Sequence, residues 1–229
     1  MRLPLAARGW YAALALLVLA AFVLQLKIAL DVPGLPPRSD VGTLAGASAA
    51  GRVVRVLSFF TIQSNLLCVL AAVRLAWRPG RPSFAWSLVH LDALLGITVT
   101  GIVYSTVLAR VHEPRGWAET ATNAVFHYAA PIAMVLGWLV FGPRPRLTAR
   151  LLATALVWPL AWFGYTLLRG AIWGWYPYPF VSVPAHGYGV VVLNALAVTA
   201  VLALVAVLFG WGGWLGPRGG SARERPDYA

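Results

Sequence analysis

The chain has 229 residues, 60% hydrophobic and only 11% charged, with 18 Lys+Arg against 7 Asp+Glu for a formal net charge of +11. A mean hydropathy of +0.74 excludes an ordinary water-facing surface, so the bilayer has to be the solvent. A spanning helix takes about 20 mostly apolar residues, so six spans use about 120 to 150 positions, leaving short loops and no room for a separate soluble domain.

Apolar runs occupy roughly 9–30, 53–77, 84–109, 120–141, 151–168 and 187–211. They predict an all-α polytopic transmembrane bundle of six helices, a single domain over 1–215, and a disordered basic tail at 216–229. The first run follows Arg2 and Arg8 like a signal peptide, but it exceeds the 7–15 residues of a signal h-region and reads as a retained helix. Lys27, near its outer end, can snorkel. The connection at 31–52 is long enough either to cover a site or to be disordered.

The second run carries SFFTIQSNLL, with Thr61 and Asn65 four residues apart on one helical face. Cys68, the one cysteine, reads as a packing residue. In the third run His90 and Asp92 lie near the inner side; Asp92 is expected to pair with Arg74, with a proton relay as the alternative. The same run brings Thr100 and Tyr104 toward the outer side. The fourth carries TNAVFHYAAP, where Asn123 is placed to orient the imidazole of His127. Before the sixth run, GWYPYPF at 174–180 reads either as an interfacial aromatic belt or as a lid. Asn194 follows in the sixth.

With both termini inside, the cytoplasmic side holds Arg2, Arg8, Arg74, Arg78, Arg81, Arg144, Arg146, Arg150, Arg218, Arg223 and Arg225. The other side receives Arg38, Arg52, Arg55, Arg110, Arg115 and Arg169. The positive-inside rule therefore places both termini in the cytoplasm and the protein in the cell membrane. The same distribution accounts for the basic charge, so no nucleic-acid partner is expected; membrane lipids are. Oligomeric state is open.

Counting inward from the outer interface, Thr61 and His127 each lie roughly 11–12 Å deep at 1.5 Å per residue, with Thr100, Tyr104 and Asn194 near that layer. His90 and Asp92 are roughly 14 Å away from it. A hydroxyl beside a neutral imidazole is the minimum equipment for nucleophilic catalysis, with Thr61 as nucleophile and His127 as base. Asn65, Asn194 or Tyr104 could donate to an oxyanion. The structural alternative has Thr61 bonded to the Leu57 carbonyl and His127 packed in a polar seam. His112 and His186, with Glu113 or Glu119, form no recognisable metal motif, and no metal or other cofactor is expected.

SFFTIQSN, HLDALLG, NAVFH and GWYPYPF resemble the bacterial membrane proteins called Pr-six-Pr, which are similar in turn to the eukaryotic androgen-induced and androgen-dependent membrane proteins. The resemblance implies an intramembrane hydrolase of hydroxy fatty acid esters, with the catalytic threonine at Thr61 and the histidine at His127. Asn123 matches the family asparagine four residues earlier. Ala124 stands where the pattern has a further histidine, and Pro131 is one position nearer. The expectation is thus a threonine hydrolase acting on a lipid ester. The alternative is a non-catalytic protein, either a small-solute transporter or a lipid-binding scaffold; Gly96, Gly101, Pro131 and Pro159 inside spans suit both.

Overall fold

The computed structural model describes residues 3–31, 41–77, 83–144 and 147–215. The tail at 216–229 lies outside the described residues, as do Arg2, Arg38, Arg78, Arg81, Arg146, Arg218, Arg223 and Arg225 of the charge count. Six helices are long and apolar enough to cross a membrane: Leu5–Asp31, Phe60–Trp77, Phe84–Arg110, Gly116–Phe141, Ala149–Trp173 and Val183–Phe209. Arg8 Nε donates to the Ala76 carbonyl, Tyr11 Oη to that of Gly142, and Phe209 packs on Trp138. These contacts define one end of the bundle, at which the described chain begins and ends; the other is called distal below.

Helix α1 (Leu5–Asp31) buries Ala7, Tyr11, Leu14, Val18 and Ala21 while leaving Leu16 and Val23 exposed. The three- and four-residue steps make one stripe. Its Ala15 and Ala21 share one buried cluster with Ala71 and Ala72 of α3 (Phe60–Trp77), small residues that let membrane helices approach closely. Helices α3 and α4 (Phe84–Thr106) form the centre, and Cys68 of α3 is fully buried. Lys27 pairs with Asp31 in the next turn of its own helix.

Several spans are interrupted, and the interruptions in the second and fourth shape the distal end. The continuous helix expected over 53–77 is instead α2 (Ala49–Ser58) and α3, separated at Phe59 (φ −68°, ψ 130°). The Ser58 hydroxyl bonds the Val54 carbonyl at 2.6 Å, closing α2 locally. The Phe59 ring leaves the helix line to pack edge-on against Trp175 and Tyr178. Thr61 is therefore in the first turn of its helix, not two turns down a longer one, which corrects the depth count.

The fourth span is α5 (Gly116–Ala124), a π-helical turn at Val125–Ala129, and α6 (Ala130–Phe141). Pro131 explains the widened turn: proline lacks the N–H for a helical bond, and its ring collides with the carbonyl four residues back, here His127. Gly101 of α4 admits this turn, since a Cβ there would lie 3.0 Å from Pro131 Cβ. The fifth span divides at Leu156 into α7 (Ala149–Ala155) and α8 (Val157–Trp173), with Pro159 in the first turn of α8. Since α8 continues past 168, Arg169 is not a loop residue as counted above but a buried one.

Gly174 ends α8 in the left-handed conformation (φ 65°). The aromatic segment that follows is no belt: Trp175, Tyr176 and Tyr178 are 3%, 3% and 7% exposed. The Tyr176 ring lies against Gly170, where a Cβ would come to 2.0 Å from it. The described part of the first distal connection packs over this cap. Gly42 N donates to the Tyr176 carbonyl at 2.9 Å, and Trp175 Nε1 to that of Thr43 at 2.8 Å. Helix α9 (Val183–Leu215) is bent at Gly187 (φ 74°).

Candidate functional site

The break at Phe59 frees the first amides of α3, which have no acceptor within the helix. Thr61 N donates to Tyr178 Oη at 3.1 Å, and Thr61 Oγ1 lies 3.1 Å from the same oxygen and 3.4 Å from His127 Nε2. The hydroxyl does not bond the Leu57 carbonyl. That carbonyl is turned out of line by the break and accepts from Gln63 Nε2 at 3.0 Å.

His127 sits in the π-helical turn, with Nδ1 at 3.2 Å from the Asn123 carbonyl. A carbonyl can only accept, so the neutral ring carries its proton on Nδ1 and presents a lone pair at Nε2. The ring is held by the Asn123 backbone and not by the carboxamide, whose Oδ1 is buried without a partner. Tyr104 stacks on the imidazole, ring centroids 3.8 Å apart at 19°. Its hydroxyl lies 3.1 Å from His112 Nδ1.

Both asparagines expected to donate to an oxyanion have carbonyl partners, Asn65 for both of its N–H groups and Asn194 for one of its two. Asn65 Nδ2 spans the Thr61 and Phe126 carbonyls at 2.9 and 3.2 Å, tying the start of α3 to the π-helical turn. Asn194 Nδ2 donates to the Phe180 carbonyl at 2.9 Å and fastens the cap to α9. The group that does reach Thr61 is Tyr178, which the sequence marked only as part of an aromatic segment. Burial pushes its phenol up to about 12, so at neutral pH it keeps its proton. The bonds then run one way, from Tyr178 Oη–H to Thr61 Oγ1, from Thr61 Oγ1–H to His127 Nε2, and from Nδ1–H to Asn123. The reverse order would set the hydroxyl lone pair against that of Nε2.

A cavity of about 80 Å³ reaches Thr61 and Tyr178 from the side of α8 and α9. Its walls are apolar, among them Val99, Val103, Phe163, Val198 and Leu202, and Leu160, more than half exposed, stands at its lipid-facing edge. Thr100 adds a buried hydroxyl without a partner.

In the other half of α4, His90 and Asp92 are both 8% exposed, and His90 Nε2 and Asp92 Oδ1 have no hydrogen-bond partner. The expected Asp92–Arg74 pair is absent; Arg74 lies over the Trp86 ring at 4.7 Å. Among the described residues no three His, Cys, Asp or Glu side chains converge as metal ligands. Compared with protein-family models, curated proteins and solved structures, the chain matches none.

Proposed function

We propose that this membrane protein is an intramembrane threonine hydrolase of lipid esters, lying in the cell membrane with both termini cytoplasmic. The observation that carries the reading is the single direction of the Tyr178–Thr61–His127–Asn123 hydrogen bonds, which gives the hydroxyl a base and the base a fixed tautomer. The resemblance of SFFTIQSN, NAVFH and GWYPYPF to the Pr-six-Pr proteins and their eukaryotic relatives supports the same pair of residues and suggests hydroxy fatty acid esters as substrates.

Thr61 Oγ1 attacks the ester carbonyl as its proton passes to His127 Nε2, an approach that requires the 3.4 Å separation to shorten by about half an ångström in the reacting complex. The imidazolium keeps its Nδ1–H on the Asn123 carbonyl and gains from the Tyr104 ring face. Tyr178 Oη–H, released from Thr61 Oγ1 as that oxygen attacks, is the donor nearest the developing oxyanion, and the Thr61 N–H keeps donating to Tyr178 Oη. Return of the proton from Nε2 to the alcohol oxygen expels the alcohol and leaves an acyl-threonine. Water, deprotonated by the same Nε2, then releases the acid and restores the hydroxyl. The short apolar cavity holds the acyl chain near the carbonyl, and the rest of the chain stays in lipid.

The transporter alternative needs a continuous polar path. Below Asn65 the bundle instead packs Cys68, Val69, Ala72, Leu94, Ile97 and Met134 into one buried apolar cluster, which favours a closed reaction site. Purified protein incubated with a panel of lipid esters should hydrolyse at least one of them, and Thr61→Ala should lower the rate about a thousandfold or more. Equal rates for the two proteins would refute the assignment.

A further inference from the structure

A guanidinium inside a bundle, away from any carboxylate, retains a desolvation cost that some other group has to offset. Among the described residues Arg169 is in this position: it lies in the fifth span, 8% exposed. Its Nη1 donates to Ser58 Oγ at 2.7 Å. That hydroxyl is neutral and carries no balancing charge; it donates to the Val54 carbonyl and also meets Tyr165 Oη at 2.8 Å.

The Arg169 guanidinium lies 4.4 Å from the centre of the Trp175 ring, and Arg55 approaches the same indole at 5.5 Å. Arg55 is itself tied by Nη1 to the Thr43 and Ala45 carbonyls. Two like charges thus converge on one ring. Burial first, and Arg169 second, hold the Arg55 guanidinium below its ordinary pKa. Among the described residues neither arginine has a carboxylate within ion-pair distance; Asp31 is paired with Lys27, and Glu119 accepts from the Arg115 amide. The recess is not sealed, because Arg55 is only partly buried and Tyr165 is 40% exposed.

We infer that Arg55 and Arg169, across Trp175, bind the anionic head, a carboxylate or a phosphate, of an amphiphile in the distal leaflet. Guanidinium forks suit both oxyanions, and their charge-assisted bonds are strong where water is scarce. The site is distinct from the proposed chemistry but adjoins it. Ser58 is three residues before Thr61 across the break, and its carbonyl accepts at 2.9 Å from Trp162, a wall of the cavity. Binding here does not depend on whether Thr61 reacts.

The test is equilibrium binding to the purified full chain in neutral detergent, using oleate, oleoyl-lysophosphatidate, inorganic phosphate and, as uncharged control, methyl oleate. Thr61→Ala is run alongside to separate binding from turnover. At least one anionic probe should bind tenfold or more tightly than methyl oleate. Preference for oleate identifies a carboxylate head, preference for lysophosphatidate a phosphate head, and binding of inorganic phosphate a free anion. Arg169→Gln should weaken that binding at least tenfold. Should it fail to fold, Arg55→Gln, at the partly exposed side, should weaken it several-fold. Equal binding of charged and uncharged probes by the wild type, or a preference unchanged in the variants, would overturn the inference.

Discussion

At the distal end four elements close hydrogen bonds around Thr61, whereas the half of α4 nearer the termini buries His90 and Asp92 with Nε2 and Oδ1 unpartnered. Both regions pair a histidine with a polar neighbour inside a membrane helix, and the difference is in the backbone. Around Thr61 and His127 the helices are interrupted, which releases amides and carbonyls that orient side chains. Helix α4 is continuous from Phe84 to Thr106, so its residues 90 and 92 point to different faces and nothing nearby is free to bond them. A polar side chain in a span becomes a candidate site where the helix beside it has given up its own hydrogen bonds.

The largest effect that sharpens this comparison is loss of the base. His127→Ala should reduce ester hydrolysis by about 10²–10⁴-fold, whereas His90→Ala should change it less than about twofold; comparable losses would remove the distinction between the two regions. Next comes Tyr178→Phe, which deletes one hydroxyl at the helix start and should cost about 10²-fold in kcat with the protein still folded. A smaller effect concerns the cap. Gly170→Ala drives a Cβ into the Tyr176 ring and should destabilise by about 1–3 kcal/mol. Gly164→Ala, on the same helix with open space around it, should be neutral or stabilising by up to about 1 kcal/mol. Thermal denaturation of the two variants reads the difference.

The spans were legible because the bilayer imposes a length that an apolar run either meets or does not. The breaks were less so. Pro131 does stand four residues after His127, so its ring against the His127 carbonyl could have been read from the sequence. Nothing comparable marks Phe59, which is turned out by contacts with Trp175 and Tyr178 more than a hundred residues away. Asn65 and Asn194 were plausible donors by depth, but carbonyls near the breaks and in the cap need donors and claim them. The Asp92–Arg74 pairing failed for a related reason: a sequence gives the depth of a residue in a span more readily than the direction in which it points. Tyr178 has no local signal beyond its flanking prolines.

The most direct test of the central claim is to treat the purified protein with a fluorophosphonate probe and map the adduct by mass spectrometry. A single adduct on Thr61, absent in Thr61→Ala and slowed in His127→Ala, is the predicted result. Labelling that survives unchanged in Thr61→Ala, or that maps to another hydroxyl, would contradict the account.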